Sequence, residues 1–229
     1  MRNGASSSGA GGSPPEPPQA AVSRETSIVA LLHDARALGV ELDDDRAATL
    51  ITFERLLRDR AIPLGAVARS DAGRIRERHV LDCLRAAPHL REVRLAYDLG
   101  SGAGLPGLVV AIALPRIRVV LVDRRANRAG FLELAVDELG LANAEVVAGP
   151  VEELDEPADA CLARAFAPLE RAWEAAVRVL RPSGRLVYFG GQEMGVAGSV
   201  VVPPGAVLEA VVRTPVLESA GPLVIMARQ

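Results

Sequence analysis

Residues 97–107 read Tyr97-Asp98-Leu99-Gly100-Ser101-Gly102-Ala103-Gly104-Leu105-Pro106-Gly107, YDLGSGAGLPG, and this stretch decides the fold. It holds four glycines in eight residues and follows the apolar run RLAYDL. Glycine tolerates positive φ and lets a ligand approach the backbone closely. An apolar strand, a glycine-rich loop and then the apolar helix pattern of Leu105–Leu114 describe the first turn of a parallel α/β sheet, where ligands gather beyond the carboxyl ends of the strands.

Downstream of this loop, short β-rich runs alternate with helical ones. The strand runs are IRVVLVD (117–123), AEVVAG (144–149), DACLAR (159–164), GRLVYFG (184–190), VLEAVVRT (207–214) and PLVIMAR (222–228). Helices are expected over Arg125–Leu139 and Pro168–Leu180. The alternation predicts a Rossmann-like α/β fold, a mostly parallel seven-stranded sheet with helices on both faces. The last two strands have no helix between them and predict an antiparallel hairpin at one edge.

Upstream, residues 23–90 read as a helical N-terminal region. SIVALLHDARALGV places Ile28, Leu31, Leu32, Ala35 and Leu38 on one face, and DDDRAATLITFERLLRD opens with aspartates suited to a helix start. GRIRERHVLDCLRAAPHL repeats Ile75, Val80, Leu81 and Leu84 and is closed by Pro88. Residues 1–22 are rich in Gly, Ser and Pro, lack the apolar h-region of a secretory signal, and are expected to form a disordered tail. The main domain is expected over 91–229.

Composition narrows the function classes. The net charge of −3 provides no global basic field for nucleic acid. All 26 basic residues are arginine, a usage read as GC-rich coding rather than as function. Cys83 and Cys161 are isolated and read as buried hydrophobes, and His33, His79 and His89 lack metal-ligand spacing, so no metal is expected. No apolar run has the roughly 18–20 residues of a membrane span. A cytoplasmic monomer is expected.

Two ligands suit the loop. Gly102, Gly104 and Gly107 satisfy G-x-G-x-x-G, and Asp123 ends the second strand at the distance where a carboxylate takes ribose hydroxyls, as in dinucleotide sites. Asp98, however, sits at the end of the first strand. A carboxylate there suits the cationic amine of S-adenosylmethionine (SAM) and repels a pyrophosphate. Glu152-Glu153 follow the third strand, where an adenine or its ribose would lie, and Val151 can pack on the adenine face. This charge logic favours SAM and leaves the dinucleotide as the competitor.

DLGSGAGLPG, VVLVDRRANRAGFL, VEEL, ARAF and the upstream ERHVLDCL together resemble the bacterial 16S rRNA guanine-N7 methyltransferases, also called the glucose-inhibited division protein B family. The resemblance spans about residues 74–192 and implies a class I SAM-dependent methyltransferase fold. It implies SAM contacts at Gly100, Leu105, Val151 and Glu152, beside Asp98, Gly102, Gly104 and Asp123. It places Arg164 at the mouth where the target base enters, touching cofactor and base, and matches Arg78 and His79 to the family's Arg-His pair. The partner it implies is 16S rRNA or the small ribosomal subunit. The chain departs from the pattern at Gly65-Ala66-Val67, where the family has Asn-Leu-Thr, and at Gly190-Gly191, where it has lysine-glycine before the retained Gln192. Another SAM-dependent substrate is therefore the alternative.

Guanine N7 carries a free lone pair, so its methylation needs positioning and no proton removal. His79 is accordingly read as an orienting group rather than a base. N7 faces the deep major groove of A-form RNA, so the target guanine must be unpaired or splayed out. Arg164 is the candidate donor to the base, with a salt bridge to Glu152 or Asp98 as its competing role. Phe166 and Tyr188 are candidate stacking surfaces or core. For phosphates, residues 54–94 hold ten arginines against six acids, and Arg124, Arg125 and Arg128 form a second basic cluster.

Overall fold

The computed structural model describes residues 23–195 and 200–229. The expected disordered tail, residues 1–22, lies outside the described residues. The chain starts with α1 (Arg24–Ala37) and α2 (Asp44–Leu56). Each begins at a side-chain cap: Ser23 Oγ accepts from the Thr26 amide at 3.1 Å and Asp43 Oδ1 from the Arg46 amide at 2.8 Å. The third expected helix is broken into a π-helical turn (Arg76–Leu81), a single α turn, α3 (Asp82–Leu84), and a 3-10 turn (Ala87–Leu90). Such wide turns re-aim side chains away from regular spacing.

The sheet strands are β1 (Leu95–Leu99), β2 (Arg118–Val122), β3 (Ala144–Val147), β4 (Ala158–Arg164), β5 (Leu180–Phe189), β6 (Ala206–Val212) and β7 (Leu223–Arg228). Their order is β3-β2-β1-β4-β5-β7-β6. The first five are parallel; β7 runs antiparallel between β5 and β6, so β6 forms the edge. The expected edge hairpin is present. Helices α4 (Gly107–Ala113), α5 (Ala126–Glu138) and α6 (Leu169–Val179) fill the crossovers. The chain leaves β1 toward β2 and β3 and then returns to β4 on β1's other side. The topological switch point therefore lies between the carboxyl ends of β1 and β4.

Period-two alternation sorts the core. Leu95, Tyr97 and Leu99 of β1, with Val120 and Val122 of β2, pack with Trp173 of α6 on one face. Ala96, Val119 and Leu121 face the other way and share a core with α4, α5 and the N-terminal helices, through Leu31, Phe53 and Leu84. The same alternation turns Asp98 into the α4 side, where its carboxylate meets the start of that helix.

Candidate functional site

The glycine loop folds as its composition demands. Gly100, Gly102 and Gly104 have φ of +67°, +59° and +79°, the left-handed region that favours glycine. A side chain on Gly107 would collide with Leu121 and Asp98, at 2.3 and 2.6 Å from its Cβ. Asp98 is 1% exposed; Oδ2 accepts from the Gly107 amide at 2.9 Å, while the buried Oδ1 has no partner among the described residues. Burial pushes the carboxyl up to about 7, against the opposing Gly107 hydrogen bond and the Arg164 cation, while Ser101 Oγ donates to the Asp98 main-chain carbonyl at 3.0 Å. A buried carboxylate oxygen without a donor, under a loop that admits close approach, fits an ammonium group.

Asp123 ends β2 as expected. Its Oδ2 accepts from the Gly102 amide and its Oδ1 from the Arg125 amide, both at 2.9 Å. Each carboxylate oxygen keeps a second lone pair for a ribose hydroxyl. Gly100, Asp123, Val151 and Glu152 line one cleft of about 660 Å³ at the switch point. Val151 is buried and Glu152 exposed. Leu105 is buried behind the loop rather than lining the cleft.

Arg164 stands elsewhere than in this cleft. It lines a second cavity of about 580 Å³ with Arg78, His79 and Tyr188; Ala165, with φ of +52°, lines both. The expected bridge of Arg164 to Glu152 or Asp98 is corrected: its Nε donates to Asp82 Oδ2 at 3.0 Å. Its Nη2 donates to the Arg78 carbonyl at 2.9 Å and to His79 Nδ1 at 3.1 Å. The reason lies in the fold, since the π turn lifts Arg78 and His79 against the end of β4. Among the described residues Nη1 alone is left over for another acceptor.

His79 is buried between two partners. Arginine can only donate, so Nδ1 accepts and the ring proton is assigned to Nε2, 3.1 Å from Asp71 Oδ2. Burial, then the Arg164 cation, hold its pKa below the ordinary value. A neutral imidazole with its lone pair engaged orients Arg164 and is not a free base. Asp71 also pairs with the half-exposed Arg78 at 3.4 Å.

Several participants escaped sequence reasoning. Asp82 bridges Arg164 to Arg85, whose Nε and Nη2 both reach Oδ1 at 2.9 Å. Arg85 in turn lies 5.5 Å from the centroid of Phe189, which lines the second cavity. Asp82 stood within ERHVLDCL without an assigned role, and Asp71 carried no local signal. Phe166 packs over Gly100 in the first cleft, away from the second cavity, while Tyr188 lines that cavity and donates to the Ala167 carbonyl at 3.1 Å. The basic face of residues 54–94 is partly neutralised, with Arg74, Arg76, Arg78 and Arg85 in ion pairs. Both departures from the family pattern meet the second cavity: Ala66, Val67, Gly190 and Gly191 line it.

Residues 47–195 match the family model described as GidB, rRNA small subunit methyltransferase G. The chain belongs to this family. A Burkholderia pseudomallei (strain 1106a) protein named Ribosomal RNA small subunit methyltransferase G is 39% identical over 173 residues, covering 72% of this chain and 75% of the relative. The protein of that name from Burkholderia mallei (strain NCTC 10229) matches with the same identity and coverage. Among solved structures, cofactor-bound Rv0187 from MTB superposes with a TM-score of 0.54 at 20% identity, covering 82% of this chain and 91% of that one. MtNAS in complex with MTA and tNA gives 0.53 at 17% identity, with 88% and 75% covered. These two share the fold. The chain is a methyltransferase with SAM as its cofactor, the ligand that the charge around the loop favoured over a dinucleotide. Among the described residues no helix is long and apolar enough to cross a membrane.

Proposed function

We propose that the chain transfers the methyl group of SAM to N7 of a guanine in 16S rRNA of the small ribosomal subunit. The observation that carries this reading is the pair of cavities meeting at Ala165: one lies on the glycine loop, the other on Arg164 and the Arg78-His79 turn. Asp98 would hold the methionine amine, Asp123 the ribose, and Val151 with Glu152 the adenosine end. SAM supplies an electrophilic methyl on a cationic sulfur, and the accepting ring takes over that positive charge. The second cavity suits this outcome. Its lining carries Asp71, Glu77, Asp82 and Glu193 against Arg78 and Arg164 with His79 neutral, while Arg74 and Arg85, which pair with Glu77 and Asp82, stand outside the lining. Arg164 Nη1 is the donor available to guanine O6, with its guanidinium fixed by Asp82, His79 and the Arg78 carbonyl. No residue needs to remove a proton, which agrees with the engaged state of His79.

The deciding experiment is methylation of small subunits from a strain lacking this enzyme, followed by mapping of the modified base. Label at a single 16S guanine N7 is the expected result. SAM bound normally with no label on 16S rRNA would instead support a different acceptor, the reading favoured by the Ala66-Val67 and Gly190-Gly191 departures. The enzyme is proposed to act as a cytoplasmic monomer, which sedimentation of the purified chain checks.

A further inference from the structure

The two cavities differ in charge. The cofactor cleft is rimmed by five arginines against Asp123, Glu152 and Glu174, whereas the four acids lining the second cavity are matched by Arg78 and Arg164 in the lining and by Arg74 and Arg85 behind it. Arg124 and Arg125 stand on the loop that leads into α5, Arg171 and Arg178 on α6. All four are exposed, and among the described residues none pairs with a carboxylate; the fifth, Arg128, faces Asp123 at 3.7 Å. SAM itself brings no phosphate, a net positive charge and a single carboxylate, so four cations are more than the cofactor can engage. They oppose the overall charge of −3 and are concentrated at one mouth.

We propose that Arg124, Arg125, Arg171 and Arg178 form the phosphate track of the RNA substrate, a proposal that rests on the rRNA reading above. The backbone of the splayed strand crosses the mouth of the cofactor cleft between α5 and α6, while the target base turns into the acid-lined cavity beyond Ala165. The difference in charge explains this route: phosphates are attracted to the arginines of the basic rim that are unpaired among the described residues, whereas the cations at the second cavity are held by its own acids, so that cavity receives the base alone. Arginine suits the task because its fork engages phosphate oxygens in pairs.

The test compares the full chain with Arg124→Gln/Arg125→Gln and Arg171→Gln/Arg178→Gln, using SAM and small subunits that lack the modification. Each pair of substitutions is expected to raise KM for subunits by about tenfold. The slope of log affinity against log salt should become shallower by about one per arginine removed. The Kd for SAM, measured by calorimetry, should stay unchanged, which also reports that the variants fold. Unchanged KM and salt slope would overturn the track. So would a parallel loss of SAM affinity, or an equal rise in KM for Arg58→Gln/Arg60→Gln, which lie outside both cavities. A wild-type chain that labels no 16S rRNA sinks the functional reading; one that labels it while the variants keep their KM sinks the track alone.

Discussion

Asp98 combines near-complete burial, one oxygen without a partner among the described residues and a carboxyl pushed up to about 7 from an ordinary 3.8. Because the folded value lies above the ordinary one, the stability this group contributes is fully present below 3.8 and is lost as the pH rises through about 7. Arg164 and Asp123 are the charged groups that bear on it. The melting temperature of the cofactor-free chain should fall over that window, and Asp98→Asn should remove the fall. SAM affinity should move the other way, roughly tenfold tighter at about pH 7 than at about pH 5.5, since the amine needs the ionised carboxylate; a flat calorimetric profile would remove Asp98 from the amine site. Asp82 is the second telling residue, a carboxylate shared by two largely buried cations, Arg85 and Arg164. Asp82→Asn should cost about 3–5 kcal/mol in urea unfolding. It should also lower kcat more than it changes the Kd for SAM, because Arg164 loses its anchor. Asp98 was legible in the sequence from its place at a strand end. Asp82 was not, because its partner stands 82 residues away.

At the level of elements, the strand–loop–helix unit of β1 and α4 is held by backbone shape. Gly102 needs a positive φ but has open space around a Cβ, with nothing nearer than 3.7 Å, whereas Gly107 has no such space. Gly102→Ala is therefore expected to cost about 1 kcal/mol, and Gly107→Ala 3 kcal/mol or more, since it also displaces the carboxylate of Asp98. Chemical denaturation of the two variants gives the comparison, and equal costs would refute it. The glycine loop was legible because the steric demand on each glycine is local. The π-helical turn at Arg76–Leu81 was not: periodicity predicted a continuous helix there, while packing widened one turn and brought His79 to Arg164. Likewise the hairpin was readable from two strands without a helix between them. The insertion of β7 between β5 and β6 depended on which partner buried the more apolar strand. Leu223–Met226 are buried on both faces, whereas β6 is largely exposed.

For the molecule as a whole, the N-terminal helices and one face of the sheet share a single core, from Leu31 and Phe53 to Val119 and Leu121. Glu54 adds a bidentate bond to Arg76, at 2.7 and 3.0 Å, joining α2 to the π turn. Thermal unfolding is therefore expected as one calorimetric transition, with no separate melting of residues 23–90. Phe53→Ala should lower that transition as a unit, by about 3–5 kcal/mol in stability. Two transitions, one of them untouched by this substitution, would show that the region folds apart. The sequence by itself determined the order of strands and helices along the chain, the glycine loop and the two carboxylates at the ends of β1 and β2. Those features follow from periodicity, sterics and charge acting over a few neighbouring residues. Only the tertiary structure decided that Arg164 is held by Asp82 and His79 rather than by Glu152 or Asp98. It alone also gathered arginines unpaired among the described residues at one cleft and mutually paired charges at the other cavity, because the charge of a cavity is a sum over residues brought together from distant parts of the chain.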